Sequence, residues 1–163
     1  MAKKTPNREC QPCTACCDGW LQIVVGGVEV FPGSPCPHST GKGCDDYGHR
    51  PESCIKFNCG WVVANSPLPM WLKPDNAKVI VIFNKFQWQG VPVDLAVPVG
   101  RRIPPRSLNW LKRFAEQHRR PLVYAEQIVE DGKFQKQQTL FAHGPPAFQQ
   151  QVATWQAQGV TLW

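Results

Sequence analysis

Cys10-Gln11-Pro12-Cys13-Thr14-Ala15-Cys16-Cys17 is the stretch that decides how this chain folds. Two residues between successive cysteines let two sulfurs converge on one ion, with backbone N–H groups of the intervening turn aimed at them. Pro12 stiffens the first of these turns. Three cysteines at two-residue gaps also match the first three ligands of a bacterial ferredoxin run. Cys16 and Cys17 are adjacent, and consecutive side chains diverge. The pair is therefore expected to face different centres, or one of the two to be a spare reactive thiol.

Working outward, a second group follows: Cys36, Cys44, Cys54 and Cys59. Its gaps are too wide for the tight pairs of a zinc ribbon, so these are ligands carried on loops. His38, His49, Asp45 and Asp46 lie among them and are candidates for a mixed site. The default role of such residues is hydrogen bonding for the histidines and solvation for the carboxylates. All eight cysteines fall between residues 10 and 59, and residues 60–163 contain none. Cysteines serving as small core hydrophobes would be scattered. Residues 32–59 carry four prolines, four glycines and four cysteines without apolar periodicity. Such a stretch cannot fold by burial alone, and bound metal supplies the missing cross-links.

A disulfide scaffold is the competing explanation, and eight is the even number it needs. The basic start, Lys3, Lys4 and Arg8, is not followed by the apolar run of a secretory signal. No apolar stretch reaches the roughly 18 residues that cross a bilayer. The expectation is a soluble, cytoplasmic protein with no membrane segment, in which thiols stay reduced and available to metal.

The run Cys10 to Cys17 resembles the signature of the CxxCxxCC cysteine-cluster family, YkgJ-like proteins described as zinc- or iron-chelating. The segment from Cys36 through Gly43-Cys44-Asp45-Asp46-Tyr47-Gly48-His49-Arg50-Pro51-Glu52-Ser53-Cys54 to Cys59 resembles the second half of that signature. That half pairs a glycine-cysteine, a tyrosine, an Arg-Pro and two closing cysteines. The resemblance covers residues 10–59, about a third of the chain. It implies metal binding by all eight cysteines, as metal ligands, through iron, an iron–sulfur cluster or zinc. Some such proteins are described as iron–sulfur oxidoreductases, and flagellin lysine N-methylase carries a related cysteine cluster. If the chain is an enzyme, the resemblance therefore implies redox or methyl transfer.

Beyond Gly60 the chain reads as an ordinary support. Lys78 to Phe83 and Val91 to Val99 are strand candidates about a Gln89-Gly90 turn. Pro104-Pro105 precede a helix in which Ser107 is the expected cap and Leu108, Leu111, Phe114 and Ala115 share a face. Pro121 ends it, and Arg119-Arg120 suit its C-terminus. Leu122 to Val129 and Phe134 to Phe141 form a hairpin at Asp131-Gly132. A last helix runs from about Pro146 to Gln158, with Phe148, Val152 and Trp155 inward. Upstream, Leu21 to Val30 reads as a hairpin about Gly26-Gly27, with one irregular strand as the alternative. The expected class is α+β: an irregular cysteine-rich part, residues 1–60, packed on a strand-hairpin and helix support, residues 61–163, as one domain.

Charge adds one exclusion. The net charge is +6, and residues 1–59 hold six basic and six acidic side chains, so the excess lies wholly in residues 60–163. Thiolate-bound centres are anionic, so the loaded protein is less basic than its composition. Arg101, Arg102, Arg106, Lys112, Arg113, Arg119 and Arg120 form a basic stretch, but no nucleic-acid motif accompanies it, so a solvated helix surface is expected. Arg50-Pro51 is expected to fix its loop and offset thiolate charge. Of the seven tryptophans, including Trp163, Trp20 and Trp61 flank the cysteine segment. They are candidates to wall the centre from water, against ordinary core packing. No P-loop, dinucleotide fingerprint or hydrolase triad is present. Three readings remain: a metal or iron–sulfur protein, a redox or group-transfer enzyme built on that centre, and a zinc module presenting the basic helix to an acidic partner.

Overall fold

The computed structural model describes residues 8–10, 12–50, 52–57 and 59–160. Lys3, Lys4, Pro51 and Trp163 lie outside the described residues. Among the described residues, two sheets and four α-helices give an α+β protein.

The first sheet is the short hairpin β1 (Ile23–Val25) and β2 (Val28–Val30). Gly26 and Gly27 turn it with φ of 56° and 82°, the positive values that a two-residue hairpin loop requires. Val25 and Val30 are buried on one face, Val24 is exposed on the other, and Val28 at the turn end of the buried face is exposed too.

The main sheet has four strands in the order β3-β4-β5-β6. β3 (Val79–Trp88) and β4 (Val91–Pro98) are antiparallel, and the register breaks between Ile82 and Phe86. Asn84 sits in this bulge with φ of 53°. β4 leads through α3 (Pro105–His118) to β5 (Leu122–Glu130), which lies parallel to it. β6 (Lys133–His143) returns antiparallel, and α4 (Pro146–Ala157) follows. Alternation along the strands splits the core in two. Val79, Val81, Ala96 and Leu122 meet Leu111 and Ala115 of α3. On the other face, Ile80, Val93, Leu95, Val97 and Val123 meet Phe148 and Val152 of α4. Covering both faces explains why β3 opens as an unbroken apolar run.

One sequence expectation fails. Ser107 does not cap α3: Pro104 holds that position, without a side-chain cap bond. Pro105 at the first helical position has no N–H to satisfy and a preset φ, so the helix starts there. Ser107, 2% exposed, instead donates its hydroxyl to the Ala77 carbonyl at 2.8 Å. That bond ties α3 to α2 (Pro74–Ala77).

The cysteine-rich segment meets both edge strands of this sheet, at Val81 of β3 and at Phe134 and Lys136 of β6. Cys13, Ala15 and Leu21 enter the α4-side core, whereas Cys59 packs against the α3-side core. The Gly60 amide donates to the Val81 carbonyl at 2.7 Å. A Cβ at position 60 would lie 2.7 Å from that oxygen, so only glycine comes this close. No helix among the described residues is long and apolar enough to cross a membrane.

Candidate metal centre

All eight cysteines are free thiols. The first group is shaped by local turns. The Cys13 amide bonds to the Cys10 carbonyl at 3.0 Å, and the Asp18 amide bonds to the Thr14 carbonyl at 2.8 Å, closing one α-turn. The Thr14 hydroxyl donates to the Asp18 carboxylate at 2.9 Å and locks that turn. Residues three apart on such a turn share a side, while the next residue lies about 100° further round. Cys16 and Cys17 therefore face different ways.

Cys10, Cys13, Cys16 and Cys59 line a half-open cavity of about 270 Å³. Phe57, Trp61 and Pro74 form its apolar wall, and Arg50 and Lys73 supply positive charge. Burial dominates the thiol chemistry. It pushes Cys10 and Cys13 up and Cys16 well above the ordinary thiol value. Cys59 is pushed up to about 11. Backbone amides act in the opposite sense: Ala15 and Asp75 donate to Cys13, and Trp61 and Val62 donate to Cys59. Such N–H···S bonds favour the thiolate, as expected of a ligand turn. Arg50 and Lys73 likewise favour the charged form of Cys10.

The other four cysteines gather behind the β1–β2 hairpin. Cys36, 7% exposed, packs with Val25 and Val30, and Cys17 and Cys54 join that cluster. Cys54 is carried by α1 (Glu52–Lys56). Cys44 is brought in by the bridge between Ser39 and Cys44, with the Ser39 amide bonded to the Cys36 carbonyl at 3.0 Å. Burial, then Cys36 and Cys44, pushes Cys17 up to about 12. Cys54 is raised by burial and by Cys36.

Among the described residues, no three His, Cys, Asp or Glu side chains are placed so as to hold a metal ion as they stand. Neutral thiols have no charge to draw them inward; a metal that displaces their protons supplies that pull. The donors fit a thiolate-bound group in number and softness, and must close to about 2.3 Å for a Zn–S bond.

The remaining candidates divide clearly. The His38 ring bonds the Asp45 carboxylate at 2.9 Å, and His49 lies 3.6 Å from Asp46, so these four pair with each other. Trp61, 4% exposed, walls the cavity, with Arg8 and Lys73 against its ring at 4.7 and 5.2 Å. Trp20 packs edge-on to Phe134 at 4.9 Å, in the core. Arg50 does reach the thiols, held 4.2 Å over the Tyr47 ring. Lys73, which sequence reasoning missed, is placed by the turn into α2, and nothing in its local sequence ties it to the cysteines.

Four members of the basic stretch are engaged within the chain. Arg106 lies over Trp71 at 4.2 Å, Lys112 over Tyr124 at 5.3 Å, and Arg102 is 3.5 Å from Glu126. Arg120 grips Asp94 with two bonds of 2.8 and 2.6 Å. Arg119 and Arg120 instead line a second cavity with Trp88 and His143, at the opposite end of the sheet.

No protein-family model matches this chain, and neither the curated proteins nor the solved structures contain a match to it.

Proposed function

We propose that this chain is a metal- or iron–sulfur-binding protein whose eight cysteines act as thiolate ligands. The carrying observation is the meeting of Cys10, Cys13, Cys16 and Cys59 at one cavity, alongside two cations and sulfur-directed amides. The resemblance of residues 10–59 to the CxxCxxCC family supports the same reading. Ferredoxin-like gaps at the first three cysteines favour iron, held singly or as an iron–sulfur cluster, over zinc. A bound cluster supplies electron transfer, and zinc supplies a fixed cross-link. The chain's own residues do the rest. Amides and cations stabilise thiolate charge, Trp61 excludes water, and the sheet fixes Cys59 through Gly60. A reducing compartment such as the cytoplasm keeps these thiols open to metal.

The half-open cavity favours a second reading, in which the centre is redox-active or group-transferring. A small anion entering there meets Arg50, Lys73 and the sulfurs together. The zinc module that presents a basic helix draws on fewer cations than the sequence offers, because Arg106 stacks on Trp71 and Arg120 pairs with Asp94.

Anaerobic purification followed by metal, sulfide and visible-absorption measurements tests the proposal. Iron with equivalent sulfide and brown colour is expected. Colourless protein with zinc and no sulfide sinks the iron version. Absence of tightly bound metal sinks the whole reading.

A further inference from the structure

We propose that the eight thiols form two separate four-sulfur centres: Cys10, Cys13, Cys16 and Cys59 at the half-open cavity, and Cys17, Cys36, Cys44 and Cys54 behind the hairpin. This division rests on the ligation reading above and adds to it the number of centres and the ligands of each.

Three independent geometric observations assign the members. The α-turn at Thr14–Asp18 sends Cys16 and Cys17 in different directions, so the adjacent pair cannot serve one small centre from the same side. The cavity collects Cys10, Cys13, Cys16 and Cys59, together with Cys54. The buried cluster of Val25 and Val30 collects Cys36, Cys17 and Cys54, and the Ser39–Cys44 bridge delivers the eighth.

Cys54 is the one residue with claims on both sides, since it also lines the cavity. Its packing against the hairpin cluster of Val25, Val30 and Cys36 assigns it to the second centre. Cys16 and Cys17 are adjacent in the chain, so the two centres are near neighbours.

The order along the chain is then first, first, first, second, second, second, second, first. The ligands of the second centre, from Cys17 to Cys54, are nested inside the span from Cys16 to Cys59. Neither loop threads through the other.

Cobalt titration of the full metal-free chain counts the centres without any substitution. Thiolate-to-cobalt absorption that saturates at about two ions per chain is expected for two four-thiolate sites. Saturation at one ion overturns the division but leaves ligation standing. No such absorption overturns both. Serine variants then assign the ligands, with metal per chain as the readout and far-UV circular dichroism as the check on folding. C10S and C44S should each lose about half the metal, C10S/C59S no more than C10S, and C10S/C44S nearly all. A C10S/C44S variant that is folded and retains as much metal as either single variant overturns the assignment. So does a folded C10S/C59S variant that retains none.

Discussion

The amide of Cys36 donates to the carbonyl of Cys17 at 2.7 Å, joining two cysteines that lie 19 positions apart in the chain. That bond sets the loop carrying Cys36 against the exit of the first cysteine turn. The other backbone bonds that hold residues 31–46 are short-range: the Phe31–Ser34 pair, Ser39 to Cys36, Thr40 to Gly43, Asp45 to His38 and His49 to Asp46. A region this sparsely bonded opens readily unless something else closes it.

Metal loading should therefore protect this loop selectively. Amide exchange at residues 36–45 is expected to slow by roughly tenfold or more on loading, while β4, already buried, changes little. Hydrogen exchange read by mass spectrometry checks it. Equal exchange in loaded and metal-free protein contradicts a ligand role for Cys36 and Cys44.

The metal-free chain should lose stability in alkali. Folding pushes Cys17 up to about 12 and Cys59 up to about 11, from an ordinary thiol value of 9.0. Above that ordinary value the unfolded chain sheds protons that the folded chain keeps, so rising pH draws unfolding forward. The contribution is whole below pH 9.0 and is lost as pH climbs through the raised values. Urea midpoints under reducing conditions at about pH 8 and about pH 10.5 should differ, the second being lower. Loaded protein behaves oppositely at the acid end, because ligation requires deprotonated thiols and weakens as pH falls.

Gly60→Ala should disturb the centre from outside it. The new Cβ meets the Val81 carbonyl at 2.7 Å and the Phe83 ring at 3.0 Å. Overpacking of this kind costs about 1–3 kcal/mol. Because Cys59 is the neighbouring residue, metal affinity should fall along with the urea midpoint. Unchanged affinity in the variant would show that Cys59 is not positioned through this contact.

Asp94→Ala should separate support from site. Asp94 is 4% exposed, accepts two bonds from Arg120 and accepts the Asn84 amide at 2.9 Å. Breaking the pair is expected to cost about 3 kcal/mol, the low end for a buried ion pair, because Arg120 keeps some contact with water. Metal per folded chain should remain that of the wild type. Loss of metal from folded variant protein would mean that the two ends of the sheet are coupled.

Much of the support is legible in the sequence because its signals are local. Asn-free turns such as Gly26-Gly27, Gln89-Gly90 and Asp131-Gly132 mark hairpins by φ alone, and the α3 and α4 apolar faces follow helical spacing. β3 runs five residues beyond Phe83, because the bulge at Asn84 breaks the alternation that would reveal it. The parallel pairing of β4 with β5 depends on the crossover through α3, which no local pattern encodes. At the site, the thiols announce themselves by clustering. Lys73 and the grouping of sulfurs do not, since both arise from chain segments that meet only after folding.

β3 is an edge strand, and the contact that its outer side makes through Val81 comes from the residue just after Cys59. An apolar edge left bare is a template for pairing with another chain. The Gly60 amide occupies one acceptor of that edge, so the cysteine segment shields part of it from such pairing. On the proposed ligation of Cys59, removing metal should loosen this cover and raise association through residues 79–83, read as light scattering of loaded against metal-free protein.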